Sequence, residues 1–373
     1  MINIIINKLL KTFLILLITL LFIELTAKIS TKLGLLDKGL PPWITLRAHQ
    51  DFGNWHPKNI TLNLEKKNCW ISTVSYNSLG MRKTSDEKLI YNNTKKKIAL
   101  LGDSMIENIE VSDGLDLGSS IQKKLNNYKV YNYSARGTGL ADQLEIYKKL
   151  IKPNNFEYLF LFLTANDIDN NVYGYTSIHR TRFDVKDSEI VKISKDKKFF
   201  KQYNSKINTI RRDFFLLFKK LDLYKVYLKM HYFLVIQKRD VVSIREKKDL
   251  KKLTLTEKKI KIYNKIKNDF LIELDKNTEL FVFLNARPHI FDPDSTENSK
   301  KEFLVDNFFK ENWKNDTILH DPFLFTKKKL KKIDKLNYPF LSMNCDAHYS
   351  PLGADIYSEF ITKTFLSKIN TTN

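Results

Sequence analysis

Two short segments of the sequence hold the residue types that serine acyl-transfer chemistry needs. Ser104 ends a Gly-Asp-Ser segment that follows an apolar run at residues 98–101, and Asp346 and His348 lie near the end of the chain with one residue between them. A serine hydroxyl attacks an acyl carbon when a base takes its proton and an acid holds that base in the right tautomer. The sequence therefore offers one candidate nucleophile, one base and one acid.

The same chemistry needs hydrogen-bond donors for the oxyanion that forms when the serine attacks. Gly137 lies in a polar turn between two apolar segments, and Asn166 directly follows the apolar run at residues 158–163. Glycine suits position 137 because the backbone must approach the substrate without a Cβ atom. We expect the backbone N–H groups of Ser104 and Gly137 and the side-chain amide of Asn166 to form the oxyanion hole.

These residues must be positioned by a sheet, and the hydrophobic pattern predicts one. From residue 98 onward, strand patterns alternate with helical patterns, which is typical of a parallel sheet covered on both faces. Ligands of such sheets bind beyond the carboxyl ends of the strands, where the candidate residues lie. The predicted elements are strands at residues 98–101, 130–133, 158–163 and 279–285 and helices at residues 116–127, 140–151 and 257–274, with a last helix beginning at Pro351.

The four polar blocks, in this order, resemble those of the SGNH (GDSL) hydrolase family, in its membrane-anchored bacterial branch. The resemblance covers about residues 98–167 and 341–366. It implies a flavodoxin-like, doubly wound parallel sheet, with Ser104 as nucleophile, His348 as general base and Asp346 as its orienting acid. It also implies Ser104, Gly137 and Asn166 as oxyanion donors.

The sequence departs from the family pattern at two positions. Thr164 stands where the third block commonly has glycine, and one residue instead of two separates Asp346 from His348. Upstream, Asn77-x-x-Gly-x-Arg82 resembles a segment that often precedes the Gly-Asp-Ser strand. Arg82 could pin an edge of the fold or bind an anion, and we favour the structural role. The aromatic segment at residues 51–56 could line a site, but we expect it to pack at the edge of the core.

An apolar segment at residues 9–27 is close to the length needed to span a membrane. It ends in a poor cleavage site, so an uncleaved anchor is favoured over a signal peptide. With no second span visible, we expect a single-pass protein of the bacterial inner membrane whose catalytic part is periplasmic or extracellular. Cys69 and Cys345 could pair there, but two unpaired cysteines are the favoured interpretation because the sequence does not establish their geometry.

The net charge of +21 is concentrated in one segment. Residues 195–269 contain 23 basic and 8 acidic side chains, without any motif of a nucleic-acid-binding fold, so nucleic-acid binding is not predicted. Residues 213–237 predict an amphipathic helix packed on its own domain, with a cationic helix resting on lipid as the alternative. No His, Cys and Asp set has zinc spacing, and a Gly-x-Gly turn at residue 137 lacks the acidic strand end of a dinucleotide site. No metal or cofactor is expected.

The sequence thus predicts three parts: an anchor with its flank at residues 1–38, an extension at residues 39–97 that packs on the core, and an SGNH domain at residues 98–373. The domain contains a helical insertion at about residues 174–254 and an irregular segment at about residues 288–342. We expect an esterase or O-acyltransferase acting on ester-linked acyl groups, in particular acetyl groups, of cell-envelope glycans. A lipid esterase and a catalytically idle glycan-binding or scaffold protein remain open as alternatives.

Overall fold

The computed structural model divides the chain into two compact units. Residues 1–40 and 198–247 form the first unit, and residues 41–197 and 248–373 form the second. Most of the predicted insertion and part of the predicted irregular segment lie outside the described residues. The structure describes residues 2–33, 36, 38–40, 42–84, 95–172, 180–193, 201, 221–231, 255–285, 297–314, 319–332, 342–343 and 345–372.

The second unit is built around a five-stranded parallel sheet. Its strands are β5 (Lys96–Leu101), β6 (Tyr128–Asn132), β7 (Tyr158–Leu163), β10 (Glu279–Leu284) and β11 (Leu319–His320). Their spatial order is β11-β10-β7-β5-β6, and each neighbouring pair is parallel. This is the strand order of flavodoxin-like sheets. The α/β fold class predicted from the sequence is therefore confirmed.

Helices cover both faces of this sheet, which explains why its strands are almost continuously apolar. In β7, Leu159 and Leu161 belong to one buried cluster, whereas Phe160 and Phe162 belong to the other, because successive side chains of a strand point to opposite faces. The helices of this unit are α2 (Ser104–Glu107), α3 (Leu117–Lys124), α4 (Leu140–Ile146), α5 (Asn166–Asn170), α7 (Glu257–Glu273), α8 (Glu297–Asn312), α9 (Phe323–Lys332) and α10 (Pro351–Thr372).

Helix ends differ from the sequence prediction at two places. The helix predicted to reach residue 127 ends at Lys124, since Gln122 turns its side chain back to the backbone of Leu125, Tyr128 and Val130. Helix α4 ends at Ile146 and continues as a π-helical segment, Tyr147–Ile151. Neither difference moves a candidate site residue.

The extension before the sheet forms small antiparallel pairs. Strands β1 (Arg47–His49) and β2 (Gly53–Trp55) pair, as do β3 (Ile60–Lys66) and β4 (Trp70–Tyr76). Two further pairs lie later in the chain: β8 (Arg182–Lys186) with β9 (Glu189–Ile193), and β12 (Ser342–Met343) with β13 (Asp346–Tyr349).

The first unit contains a long helix, α1 (Ile2–Lys32), and the shorter α6 (Asp222–His231). Residues 6–32 of α1 are long and apolar enough to cross a membrane, with a mean hydropathy of 2.2, which a signal sequence would also satisfy. Helix α6 packs against α1, and the backbone N–H of Asp222 donates to Glu24 Oε1 at 3.1 Å. Lys225 of α6 donates to the carbonyl oxygen of Lys38, which follows α1, at 2.9 Å. Only residues 221–231 of the predicted amphipathic helix at 213–237 are described.

Candidate active site

Ser104 is held at the start of a single helical turn directly beyond strand β5, which lies between β6 and β7 in the sheet. Asp103 caps that turn, because its side chain accepts a hydrogen bond from the backbone N–H of Met105 at 2.9 Å. Gly102 allows close packing at this point, since a Cβ atom there would lie 2.7 Å from the side chain of Ile106 and 3.1 Å from that of Phe162. The strand end therefore presents the serine hydroxyl at the edge of the sheet.

The structure brings the three predicted residues of the triad together. Nε2 of His348 lies 2.9 Å from Oγ of Ser104, and Nδ1 of His348 is hydrogen-bonded to Oδ1 of Asp346. Asp346 and His348 both belong to strand β13, and residues two apart in a strand project to the same face. The single residue between them, Ala347, is exposed. The shortened Asp-x-His spacing is thus compatible with a linear acid–base–nucleophile arrangement.

Asp346 is anchored by the β3–β4 hairpin. Nζ of Lys66 donates to Oδ2 of Asp346 and to the carbonyl oxygen of Cys345, each at 2.9 Å, and Nε1 of Trp70 lies 3.4 Å from the same carboxylate oxygen. Burial alone would raise the pKa of Asp346, but His348 and Lys66 lower it well below its ordinary value. Asp346 is therefore ionised whenever His348 needs a counter-charge.

A disulfide joins the same two segments. Cys69, at the tip of the β3–β4 hairpin, is bonded to Cys345, with 5.6 Å between their Cα atoms. The favoured interpretation of two unpaired cysteines is therefore wrong. The sequence could not reveal the pairing because the two residues are 276 positions apart and meet only once the hairpin and β13 have folded.

Gly137 lies in a backbone conformation that only glycine adopts without strain. Its φ angle is +71°, and a Cβ atom added there would lie 2.5 Å from Nη2 of Arg180. The residue is predicted to donate its N–H group to the oxyanion. The left-handed backbone therefore strains any other residue at this position, and the guanidinium of Arg180 would have to move to admit a Cβ atom.

Asn166 is oriented by the aspartate of the Gly-Asp-Ser segment. Its Nδ2 atom donates to Oδ2 of Asp103 at 3.1 Å. An amide group carries two N–H donors, so this bond leaves the second hydrogen of Asn166 for an oxyanion. Thr164, which replaces the usual glycine, also donates to Asp103 at 3.2 Å and accepts from Asn285. The threonine at position 164 thus adds a hydrogen bond to Asp103, the residue that orients Asn166.

Arg82 fixes the backbone that follows Ser104. Its guanidinium is buried and donates to the carbonyl oxygens of Glu107, Asn108 and Val111. The expectation that Arg82 pins an edge of the fold is confirmed. Asn108 continues this support, because its side-chain amide donates to the carbonyl oxygen of Tyr349 at 3.1 Å and so links the serine turn to the histidine strand.

The aromatic segment at residues 51–56 packs at the core edge, as expected, and it places His56 beside the buried carboxylate of Glu107. Nε2 of His56 lies 3.0 Å from Glu107, which also accepts a hydrogen bond from Tyr76 at 2.7 Å and one from the backbone N–H of Arg136 at 2.7 Å. Burial alone would raise the pKa of Glu107, but His56, Arg136 and Tyr76 lower it to about 2. Glu107 thus joins the extension to the Gly137 turn.

Sequence reasoning missed a second buried acid, Glu110, beside the triad. Its Oε1 atom lies 3.3 Å from Nδ1 of His348 and accepts a hydrogen bond from Nη2 of Arg136. Burial alone would lower the pKa of His348, but Glu110 and then Asp346 raise it above its ordinary value, against a smaller opposing effect of Arg136. The available signal was an acidic residue placed between the apolar residues Ile109 and Val111.

Glu110, Asp346 and His348 are also the one set of potential metal-ligand atoms lying within 4.8 Å of one another in the described part of the chain. Their atoms already bond to each other and to Arg136. A guanidinium on the carboxylate oxygen opposes a second cation electrostatically, so we assign no metal to this cluster.

No family model and no curated protein matches this chain. Solved structures do match. A lipase/acylhydrolase from Enterococcus faecalis is 10% identical, with 73% of this chain and 96% of that chain covered and a TM-score of 0.38. A member of the lipolytic protein G-D-S-L family from Veillonella parvula DSM 2008 is 9% identical, with 73% and 98% covered and a TM-score of 0.39.

An acetylxylan esterase from Geobacillus stearothermophilus is 8% identical, with 74% and 95% covered and a TM-score of 0.39. The G-D-S-L family that the sequence motifs resemble is thus represented among the matched structures. With TM-scores below 0.5, these similarities do not identify the reaction of this chain, which has to be inferred from its own residues.

Proposed function

We propose that this chain is an SGNH-type serine hydrolase that acts on ester-linked acyl groups. The observation that carries the proposal is the hydrogen-bonded series Ser104, His348 and Asp346, with 2.9 Å between the hydroxyl oxygen and the imidazole nitrogen. This distance lies within the reach that proton transfer to a general base requires.

The reaction follows from that arrangement. Oγ of Ser104 attacks the acyl carbon while Nε2 of His348 takes its proton, and Asp346 faces the positive imidazolium that forms. The negative oxygen of the tetrahedral intermediate accepts hydrogen bonds from Ser104, Gly137 and Asn166. His348 then returns the proton to the leaving alcohol as the C–O ester bond breaks, which leaves an acyl-Ser104 enzyme.

A second nucleophile completes the cycle by attacking the acyl-enzyme. Water yields a free acid, as in an esterase, whereas a sugar hydroxyl yields a new ester, as in an O-acyltransferase. His348 accepts the proton of either nucleophile and returns it to Ser104. We propose acetyl groups of cell-envelope glycans as the substrate class, on the basis of the family resemblance of the sequence and of the anchor.

We further propose that α1 is retained as a single-pass anchor, with the catalytic unit outside the cytoplasm. One contact and the burial of one residue support retention: Glu24 of α1 accepts a hydrogen bond from the first residue of α6, and Ala27 is buried. Cleavage after Ala27 would remove Glu24 from that contact. The disulfide supports an oxidising compartment. Mass spectrometry of the membrane-extracted protein should find residues 2–27 intact, and a chain beginning near residue 28 would contradict retention.

The catalytic proposal is tested by labelling the detergent-solubilised full chain with a fluorophosphonate and locating the adduct by mass spectrometry. We expect an adduct on Ser104 that is lost in Ser104→Ala and His348→Ala. Ser78→Ala is the matched control, because Ser78 is exposed and has no place in the mechanism. Hydrolysis of p-nitrophenyl acetate should fall by about 10³-fold or more in the two triad variants and stay unchanged in Ser78→Ala.

The length of the acyl chain is tested separately. Faster turnover of p-nitrophenyl acetate than of p-nitrophenyl octanoate would support acetyl groups, and the reverse would favour a lipid ester. Folded wild-type protein that neither reacts with the fluorophosphonate nor hydrolyses either ester would overturn the enzyme proposal in favour of a glycan-binding protein.

A further inference from the structure

Nδ1 of His348 faces two carboxylates. Oδ1 of Asp346 is hydrogen-bonded to it, and Oε1 of Glu110 lies 3.3 Å away. The two acids differ in setting: Glu110 is fully buried, whereas Asp346 is 14% exposed. A neutral imidazole has one N–H donor. The hydrogen bond from Nδ1–H can therefore be shared between the two carboxylate oxygens, or move from one to the other.

Glu110 is tied to the opposite side of the site. The same Oε1 atom accepts a hydrogen bond from Nη2 of Arg136, which directly precedes Gly137 in the chain. Its second oxygen, Oε2, is buried and has no hydrogen-bond partner among the described residues. Burying a carboxylate whose second oxygen has no hydrogen bond costs free energy. Both neighbours of this carboxylate, Arg136 and His348, approach the same oxygen, Oε1.

Each of the two acids beside His348 has its own cationic partner. Asp346 is bonded to Lys66, and Glu110 is bonded to Arg136. When His348 takes the proton of Ser104, the new positive charge lies between two negative groups. Both stabilise it, and the buried one is less screened by water.

Resting on the proposed function, we propose that Glu110 is a second acid for His348, a positioning residue that shares Nδ1–H with Asp346 and takes over its role when Asp346 is neutralised. The site is then a four-residue arrangement of Ser104, His348, Asp346 and Glu110, with Arg136 holding the fourth member in place. Glu110 contacts neither substrate nor reacting atoms and acts through the imidazole.

The first test compares kcat/KM for p-nitrophenyl acetate in Asp346→Asn, Glu110→Gln and the double variant. In a site with one acid, removing the acid costs about 10⁴-fold. Here we expect about a 10- to 100-fold loss in Asp346→Asn, about a tenfold loss in Glu110→Gln, and about 10⁴-fold or more in the double variant, exceeding the product of the two single losses. A loss of about 10⁴-fold in Asp346→Asn alone, or single losses that simply multiply, would overturn the proposal.

The second test does not depend on activity. The pKa of His348 is measured by NMR of the full-length protein with ¹³C-labelled histidine, and the signal is assigned by its loss in His348→Ala. Glu110→Gln should lower this pKa and Arg136→Met should raise it, because the two groups have opposite charge. A merely structural effect would not reverse sign between the two variants.

Failure of the two proposals can be told apart. An unlabelled Ser104 together with opposite pKa shifts would reject the esterase and keep the coupling of Glu110 to His348. A labelled Ser104 with an unchanged pKa of His348 in Glu110→Gln would keep the esterase and reject the second acid. Circular dichroism shows whether each variant is folded. Glu110→Asp, which retains the charge, should keep the pKa of His348 close to that of wild type. If Glu110→Gln fails to fold, the pKa change in Arg136→Met carries the test.

Discussion

Reduction of the Cys69–Cys345 disulfide should lower both the activity and the stability of the protein. Cys345 directly precedes Asp346, so the bridge fixes the start of strand β13 to the β3–β4 hairpin. Cys345 is exposed and Cys69 half-buried, so a soluble thiol reagent can reach them. The variants Cys69→Ser and Cys345→Ser should behave as the reduced wild type does.

The size of the effect follows from the loop that the bridge closes. A separation of 276 residues gives a loop-closure contribution of about 5–6 kcal/mol in the chain-entropy model, and loss of native bridges typically costs about 2–5 kcal/mol. We expect a loss near 3 kcal/mol, which corresponds to a fall in Tm on the order of 5–10 °C. Lys66 and Trp70 still hold Asp346 after reduction, so kcat at 25 °C should fall by about tenfold, less than the roughly 10²-fold that a 1 Å misplacement can cost.

The assay is ester hydrolysis and thermal unfolding with and without dithiothreitol, after thiol titration has shown that both cysteines are reduced. The double variant Cys69→Ser/Cys345→Ser is the matched control and should not respond to the reagent. If fully reduced wild type keeps both its Tm and its kcat, the bridge supports neither the fold nor Asp346, and the reasoning is refuted.

Three further predictions concern single residues. Gly137→Ala should lower kcat by at least about 10²-fold, because φ is +71° and the new Cβ would collide with Arg180; an active, folded variant in the ester assay would contradict the oxyanion role. Lys66→Met should raise the pKa of Asp346, since Lys66 helps to lower it, and should reduce kcat by a few-fold at low pH; an unchanged pH–rate profile would show that Lys66 is dispensable. Because the pKa of Glu107 is lowered to about 2 from an ordinary 4.5, its stabilisation, on the order of 3 kcal/mol, is present above pH 4.5 and lost as pH falls towards 2. In urea titrations, the free energy of unfolding of Glu107→Gln should be lower than that of wild type at pH 7 and should depend less on pH between 4.5 and 2. A pH dependence equal to that of wild type would be evidence against this role.

The sequence was sufficient for the parts of the fold that depend on local pattern. The strands ending near Ser104 and Asn166 and the helix beginning at Pro351 follow from apolar periodicity and from residues that favour turns and helix starts. The strand order of the sheet was expected only from the resemblance of the four polar blocks to the SGNH family, because the hydrophobic pattern predicts strands and not their order in space. The candidate triad could be proposed because each member lies at an element end, where function concentrates in such sheets.

The features that sequence reasoning missed depend on contacts between distant segments. Glu110 becomes part of the site only when the turn after Ser104 meets both β13 and the Arg136 turn. The disulfide likewise needs the β3–β4 hairpin to reach residue 345. Neither contact has a periodic signature in the chain, so no pattern of spacing could predict it.

The N-terminal extension explains how the short Asp-x-His spacing can work. In strand β13, Asp346 and His348 point to one face because they are two residues apart. So short a strand, which among the described residues pairs only with β12, would not hold that face towards Ser104 by itself. The β3–β4 hairpin supplies what is missing: Lys66 and Trp70 bind the carboxylate, and Cys69 ties down the preceding residue. The extension is therefore a structural part of the candidate site, because the acid of the triad is held by residues that precede the α/β sheet in the chain.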